Sequence, residues 1–234
     1  MNSLNKFKKD LKNCSRCGLC QAVCPIFEIT KNDSTSPKGK FILLNEMLKN
    51  GEKPSKKLIN YMKTCLNCGK CVEYCPSKID IKEINKAFDK DFSASKLNLF
   101  LLVEDFVSSI TFKKYEENKS NIKLLKEKFS EFSKNKKFVY LKNYEEEKLP
   151  EIIDGNKSVI IKECGASLKF RHNNPKLYLA LAKTNVQKIL LNDFDYIITN
   201  NFLCKKEIEQ GFSALEVKKE IISLEEFIKT YLQV

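Results

Sequence analysis

Eight of the ten cysteines in this 234-residue chain fall into two runs of identical spacing. The first reads Cys14-x2-Cys17-x2-Cys20-x3-Cys24-Pro25, and the second reads Cys65-x2-Cys68-x2-Cys71-x3-Cys75-Pro76. Three thiolates two residues apart on a tight loop can reach three iron corners of one cubane, while the fourth, displaced onto the next segment, points to the other cluster. The spacing therefore predicts two [4Fe-4S] clusters. One would be held by Cys14, Cys17, Cys20 and Cys75, the other by Cys65, Cys68, Cys71 and Cys24. Crossed ligation of this kind ties the two motifs together, and this half of the chain is expected to unfold without iron. Zinc also uses CxxC pairs, but in two pairs per site rather than in quartets that end in Cys-Pro. Gly18 and Gly69 sit between the second and third cysteines of each run, where the lack of a Cβ lets the backbone approach a cluster. Pro25 and Pro76 stiffen the chain just past the fourth cysteine.

The elements that must position these loops are helical. Leu4, Phe7 and Leu11 recur at helical spacing after a possible cap at Ser3. Ser36-Pro37 reads as N-cap and first residue of a helix carrying Phe41, Leu44 and Leu48, with Gly51 past its end. Ser55 can cap a third helix bearing Leu58, Tyr61 and Met62. A fourth starts at Asp80, with Glu83 completing a capping box ahead of Ile84 and Phe88. Residues 1–92 are thus expected to form an all-helical dicluster ferredoxin domain. The 40 residues between the quartets, with two helices among them, distinguish it from small β-rich carriers, where little more than a turn and a strand pair intervenes.

Residues 93–136 read as a lysine-rich helical linker. Its first helix, Leu97 to Ile110, is apolar nearly all round but is interrupted by Glu104 and Asp105 and falls short of the roughly 20 residues that span a bilayer. Its second carries an amphipathic stripe of Ile122, Leu125, Phe129 and Phe132. Residues 137–234 alternate in period. Short β-type runs at Phe138–Leu141, Ser158–Ile161 and Tyr196–Thr199 are separated by helical stretches such as Pro175 to Leu191, and a last helix opens at Ser223 with Glu226 three residues on. Alternation of this kind predicts a small α/β domain with a largely parallel sheet.

The formal net charge is +12, nearly all from lysine, since the only arginines are Arg16 and Arg171. The lysines are spread along the chain, which reads as compositional bias and not as a nucleic-acid patch. Eight thiolates around two 2+ cores would bring the charge down to roughly +8. Met1 to Leu11 lacks the roughly 7–15-residue apolar core of a signal peptide. The expected setting is cytoplasmic, with peripheral association at the inner face of the membrane left open and no integral membrane segment. Ten cysteines in a reducing compartment point to metal ligation rather than disulfides. No G-x-G-x-x-G, P-loop or histidine-metal motif occurs, so no self-contained catalytic site is evident and hydride chemistry belongs to another chain.

The chain also resembles a known family, the iron-sulfur subunits of glycolate oxidase and their relatives. These include the corresponding subunit of anaerobic glycerol-3-phosphate dehydrogenase and the cysteine-rich subunits of lactate-utilisation and heterodisulfide reductase systems. SPKGKFILLNEMLKNGE resembles the family's Ser-Pro-Arg-Gly-Arg stretch and the helix behind it, and YMKTCLNCGKCVEYCPSKIDI its second-cluster segment. More weakly, ECGASLKFRHNNP, DYIITNNFLCKKEI and EIISLEEFIKTYL resemble one copy of the cysteine-rich CCG domain. Against that pattern, no cysteine follows the 138–141 run, Glu163 stands before Cys164-Gly165 where a cysteine would be, and Asn201 replaces the first cysteine of a later pair, leaving Cys204. The resemblance implies a shortened form with one degenerate CCG domain.

The implied role is an electron-transfer subunit. It would relay electrons from an FAD-containing dehydrogenase of 2-hydroxy acids, glycolate or lactate in type, to a quinone or soluble carrier. Two alternatives stand beside it. One is a heterodisulfide-reductase-like or quinone-reductase-like subunit in which Cys164 and Cys204 take part; the other is a non-enzymatic iron-sulfur redox sensor. His172, the single histidine, follows the Cys164 loop beside Arg171 and reads as a surface or capping residue, with an anion or cofactor role as the other option.

Overall fold

The computed structural model describes residues 2–92, 122–143, 148–164 and 166–232. The expected apolar helix at 97–110 and Gly165 lie outside the described residues. The chain divides into two units, Met1–Asn98 with Lys169–Leu177, and Leu99–Leu168 with Tyr178–Val234.

In the cysteine-bearing unit, capping residues set the helix starts. Helix α1 (Asn2–Asn5) and α2 (Lys8–Lys12) precede the first cysteine loop, α3 (Leu19–Ala22) and α4 (Pro25–Thr30) follow it, and α5 (Pro37–Asn50) and α6 (Lys56–Lys63) lead to the second. After that loop come α7 (Lys70–Glu73) and α8 (Ile81–Phe92). Ser36 caps α5 as expected, its Oγ accepting from the Gly39 N–H at 3.1 Å, with Pro37 first in the helix and Gly51 left-handed at its end. Ser55 caps α6 in the same way through the Leu58 N–H at 3.2 Å, and Asp80 caps α8 through the Lys82 and Glu83 amides. Glu83 itself takes the Lys86 ammonium at 2.8 Å.

The expected cap at Ser3 is corrected. Ser3 lies inside α1, and the Asp91 carboxylate at the end of α8 accepts from the Ser3 and Leu4 amides at 3.3 and 2.9 Å. A tertiary carboxylate thus serves the orphan amides that a local hydroxyl was expected to serve, and the chain breaks at Phe7 into two short helices. The core of the unit gathers Leu4, Leu11, Phe41, Leu44, Leu48, Met62, Ile84 and Phe88, with Cys14, Cys71 and Cys75 packed against it.

In the other unit, β1 (Phe138–Asn143) lies between β2 (Val159–Cys164) and β3 (Tyr196–Thr199), and β4 (Ile222–Ser223) joins β3, giving a parallel sheet of order β2-β1-β3-β4. The later helices in chain order are α9 (Ile122–Phe132), α10 (Leu168–Asn173), α11 (Pro175–Leu190), α12 (Phe202–Ala214) and α13 (Leu224–Phe227), the last running into a π turn at Ile228–Leu232; of these, nearly all of α10 and the first residues of α11 fall in the cysteine-bearing unit. Both faces of β1 are covered over Phe138–Leu141, and that stretch carries no charged residue. Phe138 and Tyr140 pack with Leu125 and Phe129 of α9 and with Phe227. Val139 and Leu141 pack on the opposite face with Val186 of α11 and Ile208 and Phe212 of α12. The strand and helix expectations for this half agree with the structure within three residues at each end, the largest difference being β2, which runs on past Ile161 to Cys164, and Ser223 caps α13 through the Glu226 N–H at 3.1 Å.

Candidate metal centre

The two cysteine loops repeat one another in backbone conformation as well as in sequence. Arg16 and Asn67, the residues before the second cysteines, have φ of 58° and 55°, and the glycines after them, Gly18 and Gly69, have φ of 85° and 79°. A left-handed turn at that place favours glycine, and each glycine is the N-cap of the one-turn helix, α3 or α7, that carries the third cysteine. At Gly18 the glycine requirement is purely conformational, since a Cβ there would meet no protein atom within 4 Å, whereas at Gly69 a Cβ would also come within 2.8 Å of Lys82 Cε. Beyond the fourth cysteines the copies diverge. Pro25 opens α4, whereas Pro76 enters a turn with Lys78 left-handed at φ 53° before α8 begins.

The folding of these loops brings the thiols into two groups. Cys14, Cys17, Cys20 and Cys75 line one recess of about 320 Å³, together with Arg16, Lys38, Phe41 and Ile79. Cys24, Cys65, Cys68 and Cys71 line a second of about 420 Å³, with Lys40, Leu66, Asn67 and Lys70. Each recess takes three thiols from one quartet and the fourth from the other. The first turn of α5 supplies Lys38 to one and Pro37 and Lys40 to the other.

Backbone amides point at the sulfurs. The Asn67 N–H donates to Cys65 Sγ and the Ile79 N–H to Cys75 Sγ, both at 3.4 Å. The Leu19 amide holds the exposed Cys17 thiol below the usual thiol range. Elsewhere burial dominates. It pushes Cys20 and Cys68 up to about 11 and raises Cys24 and Cys71. For Cys20 the charges of Cys14, Cys17 and Cys75 add to the rise, and for Cys71 those of Cys65, Cys68 and Cys24. Thiols crowded in this way lose their protons only to a cation that replaces them.

The donor set fits an iron-sulfur cluster. Each recess offers four thiols and no carboxylate or imidazole, the ligand chemistry of a [4Fe-4S] cubane. Among the described residues no group of three or more His, Cys, Asp or Glu side chains is drawn together as for a single metal ion.

The two remaining cysteines stand apart from these recesses. Cys164, at the end of β2, and Cys204, in the first turn of α12, are 1% and 0% exposed and pack among Val139, Leu141, Val186 and Ile208. Asn201 caps α12: its Oδ1 accepts from the Leu203 and Cys204 amides at 2.9 and 3.2 Å, and from Asn143 Nδ2 at 3.2 Å. The sequence reading missed Glu207. It is buried on α12 and accepts from the Ala166 N–H at 2.8 Å and from Asn185 Nδ2 at 2.6 Å, so it ties the loop after β2 to α11 and α12. Its place in a helical KKEIEQ run carries no signal of burial. His172 is exposed in the last turn of α10.

Comparison with known proteins bears on the same stretch of chain. The 4Fe-4S dicluster domain family matches residues 10–79. The glycolate oxidase iron-sulfur subunit of Escherichia coli (strain K12) is 30% identical over 69 residues, which is 30% of this chain and 17% of that protein. The probable glycolate oxidase iron-sulfur subunit of Bacillus subtilis (strain 168) is 31% identical over 81 residues, covering 32% of this chain and 18% of the relative. The match spans less than a fifth of the length of either relative. No solved structure matches, and among the described residues no helix is long and apolar enough to cross a membrane. Residues 10–79 thus match the 4Fe-4S dicluster domain family, and over about that stretch the chain is similar to the iron-sulfur subunits of glycolate oxidase.

Proposed function

We propose that the chain is an electron-transfer subunit that holds two [4Fe-4S] clusters, one on Cys14, Cys17, Cys20 and Cys75 and one on Cys24, Cys65, Cys68 and Cys71. The observation that carries this reading is the sorting of eight thiols into two all-cysteine recesses within one helical unit. Each cubane, when bound, takes up and gives back one electron. The chain's own residues prepare the sites for that exchange. The Asn67 and Ile79 amides aim at Cys65 and Cys75 and offset negative charge that grows on sulfur during reduction. Phe41 and Ile79 in one recess, and Leu66 and Ile81 in the other, keep water from part of each wall.

The donor is an FAD-containing dehydrogenase that oxidises a small 2-hydroxy acid of the glycolate or lactate type, and the acceptor is a quinone or a soluble carrier. A reduced flavin holds two electrons, which two one-electron sites can receive in turn. Both matched relatives are described as subunits of glycolate oxidase, which supports a flavoprotein partner for this chain. The α/β unit, residues 137–234, serves as the docking platform. Purification of the tagged chain from its native host tests the reading. A flavoprotein should co-elute, and adding its 2-hydroxy acid without oxygen should bleach the iron-sulfur absorbance. A chain that never associates with a flavoprotein would overturn it.

A further inference from the structure

Two lysines on the first turn of α5 are divided between the recesses. Lys38 lines the recess of Cys14, Cys17, Cys20 and Cys75, and Lys40 that of Cys24, Cys65, Cys68 and Cys71. Their surroundings differ. Lys38 is half-buried and its neighbour in that recess, Arg16, is exposed, so water screens both charges. Lys40 is 3% exposed, the only lysine among the described residues that is buried to this degree. No carboxylate lines its recess, and none among the described residues pairs with it. What faces it is the thiol set of Cys24, Cys65, Cys68 and Cys71, which line the same recess. Charge interactions are several times stronger in such a site than at a wet surface.

We propose that Lys40 sets the two clusters at different potentials: its ammonium, facing the recess from a side chain held almost wholly out of water, favours the extra electron at the Cys24, Cys65, Cys68 and Cys71 site, so electrons move to that site from the Cys14, Cys17, Cys20 and Cys75 site. The inference rests on the two-cluster reading above. In the transfer one site loses the single electron that the other gains, no bond is made or broken, and no proton moves. Lys40 acts only through its charge. Lys70 lines the same recess but stands half in water, so Lys40 supplies the less screened of its two charges.

The test is an anaerobic redox titration of the cluster-loaded chain, followed by electron paramagnetic resonance. Lys40→Met keeps the length of the stem and removes the charge. It should lower the higher of the two potentials by about tenfold in the reduction equilibrium, about 59 mV for one electron, and Lys40→Arg should restore most of the loss. Lys38→Met should move that wave by clearly less. Lys40→Met with about eight irons bound and both potentials unmoved would overturn the proposal alone. Iron and sulfide well below about eight per chain in the unmodified protein would overturn the two-cluster reading and this proposal with it. Should Lys40→Met lose iron, the unmodified protein still decides. On stepwise reduction the hyperfine-shifted proton resonances that change first should belong to Cys65, Cys68 and Cys71, and a first change at Cys14, Cys17 and Cys20 would contradict the proposal.

Discussion

Burial makes the iron-free sites pH-sensitive in a direction that the thiols themselves fix. In the unfolded chain these groups titrate near 9.0, and in the folded one Cys20 and Cys68 are pushed up to about 11. A raised pKa means that the folded state holds its protons longer, so the contribution to stability is complete below about pH 9 and is lost as pH rises toward 11. Because this unit is expected to fold only as it takes up metal, the effect should be read in reconstitution: iron uptake by the reduced chain should rise between about pH 7.5 and 9, and uptake that does not change with pH would contradict it. Iron displaces the same protons, so loading should become easier as pH rises over that range.

The crossed sorting of the cysteines makes a second residue-scale prediction. Cys75→Ser should disturb the same cluster signal as Cys17→Ser, and Cys24→Ser the same one as Cys68→Ser. Pairing of each fourth cysteine with its own quartet would contradict the assignment. Cys164 and Cys204, buried in the apolar core of the α/β unit, are expected to carry no thiol chemistry. The double replacement by serine should leave electron transfer unchanged, though it should cost stability because two hydroxyls enter a dry core. Of these residues, the quartets were legible because ligand spacing is a local, one-dimensional property. Lys40 was not, since nothing in SPKGK distinguishes the lysine that turns inward from the one that stays half in water.

At the scale of elements, the first turn of α5 matters most, because it walls both recesses. Ser36 Oγ accepts from Gly39 and donates to the Asp33 carbonyl at 2.7 Å, and Ser36 is fully buried. Ser36→Ala should cost about 1–2 kcal/mol and show as a lower melting temperature of the loaded chain. Gly39 meets the same segment more tightly, because a Cβ there would collide with the Asp33 backbone carbonyl. Gly39→Ala should therefore be the more damaging of the two and should reduce iron retention. A loss of stability smaller than that of Ser36→Ala would mean that this contact yields more easily than its geometry implies.

Helices whose starts are fixed by their own residues, such as α5 at Ser36-Pro37 and α6 at Ser55, could be read from sequence because cap and amide lie three positions apart. α1 could not be read in this way. Its amides are satisfied by Asp91, 87 and 88 residues away, and no local pattern encodes such a contact. The strands of the α/β unit were legible for a different reason: burial of both faces of β1 leaves the run FVYL without a polar break. The parallel order β2-β1-β3-β4 follows from long-range pairing and was visible in sequence only as alternation of element type.

For the whole molecule, the two units should differ in what holds them together. The cysteine-bearing unit is built from short helices, of which α1, α3 and α7 have four residues each, too few to persist without tertiary support. Its ligands come from both quartets, so metal binding and folding should be coupled there. The α/β unit has its own aromatic core around Phe129, Phe138, Tyr196 and Phe227 and none of the eight recess cysteines. Removing iron with a chelator under reducing conditions should abolish helical signal from the first unit and leave a separate melting transition for the second. Loss of both in one step would contradict that division. The central claim, that the eight thiols hold two electron-carrying cubanes, is tested most directly by one anaerobic reductive titration of the purified chain with its iron and acid-labile sulfide counted. About eight of each per chain and two reversible one-electron reductions are expected. About four of each, zinc in place of iron, or clusters that cannot be reduced and reoxidised would contradict it.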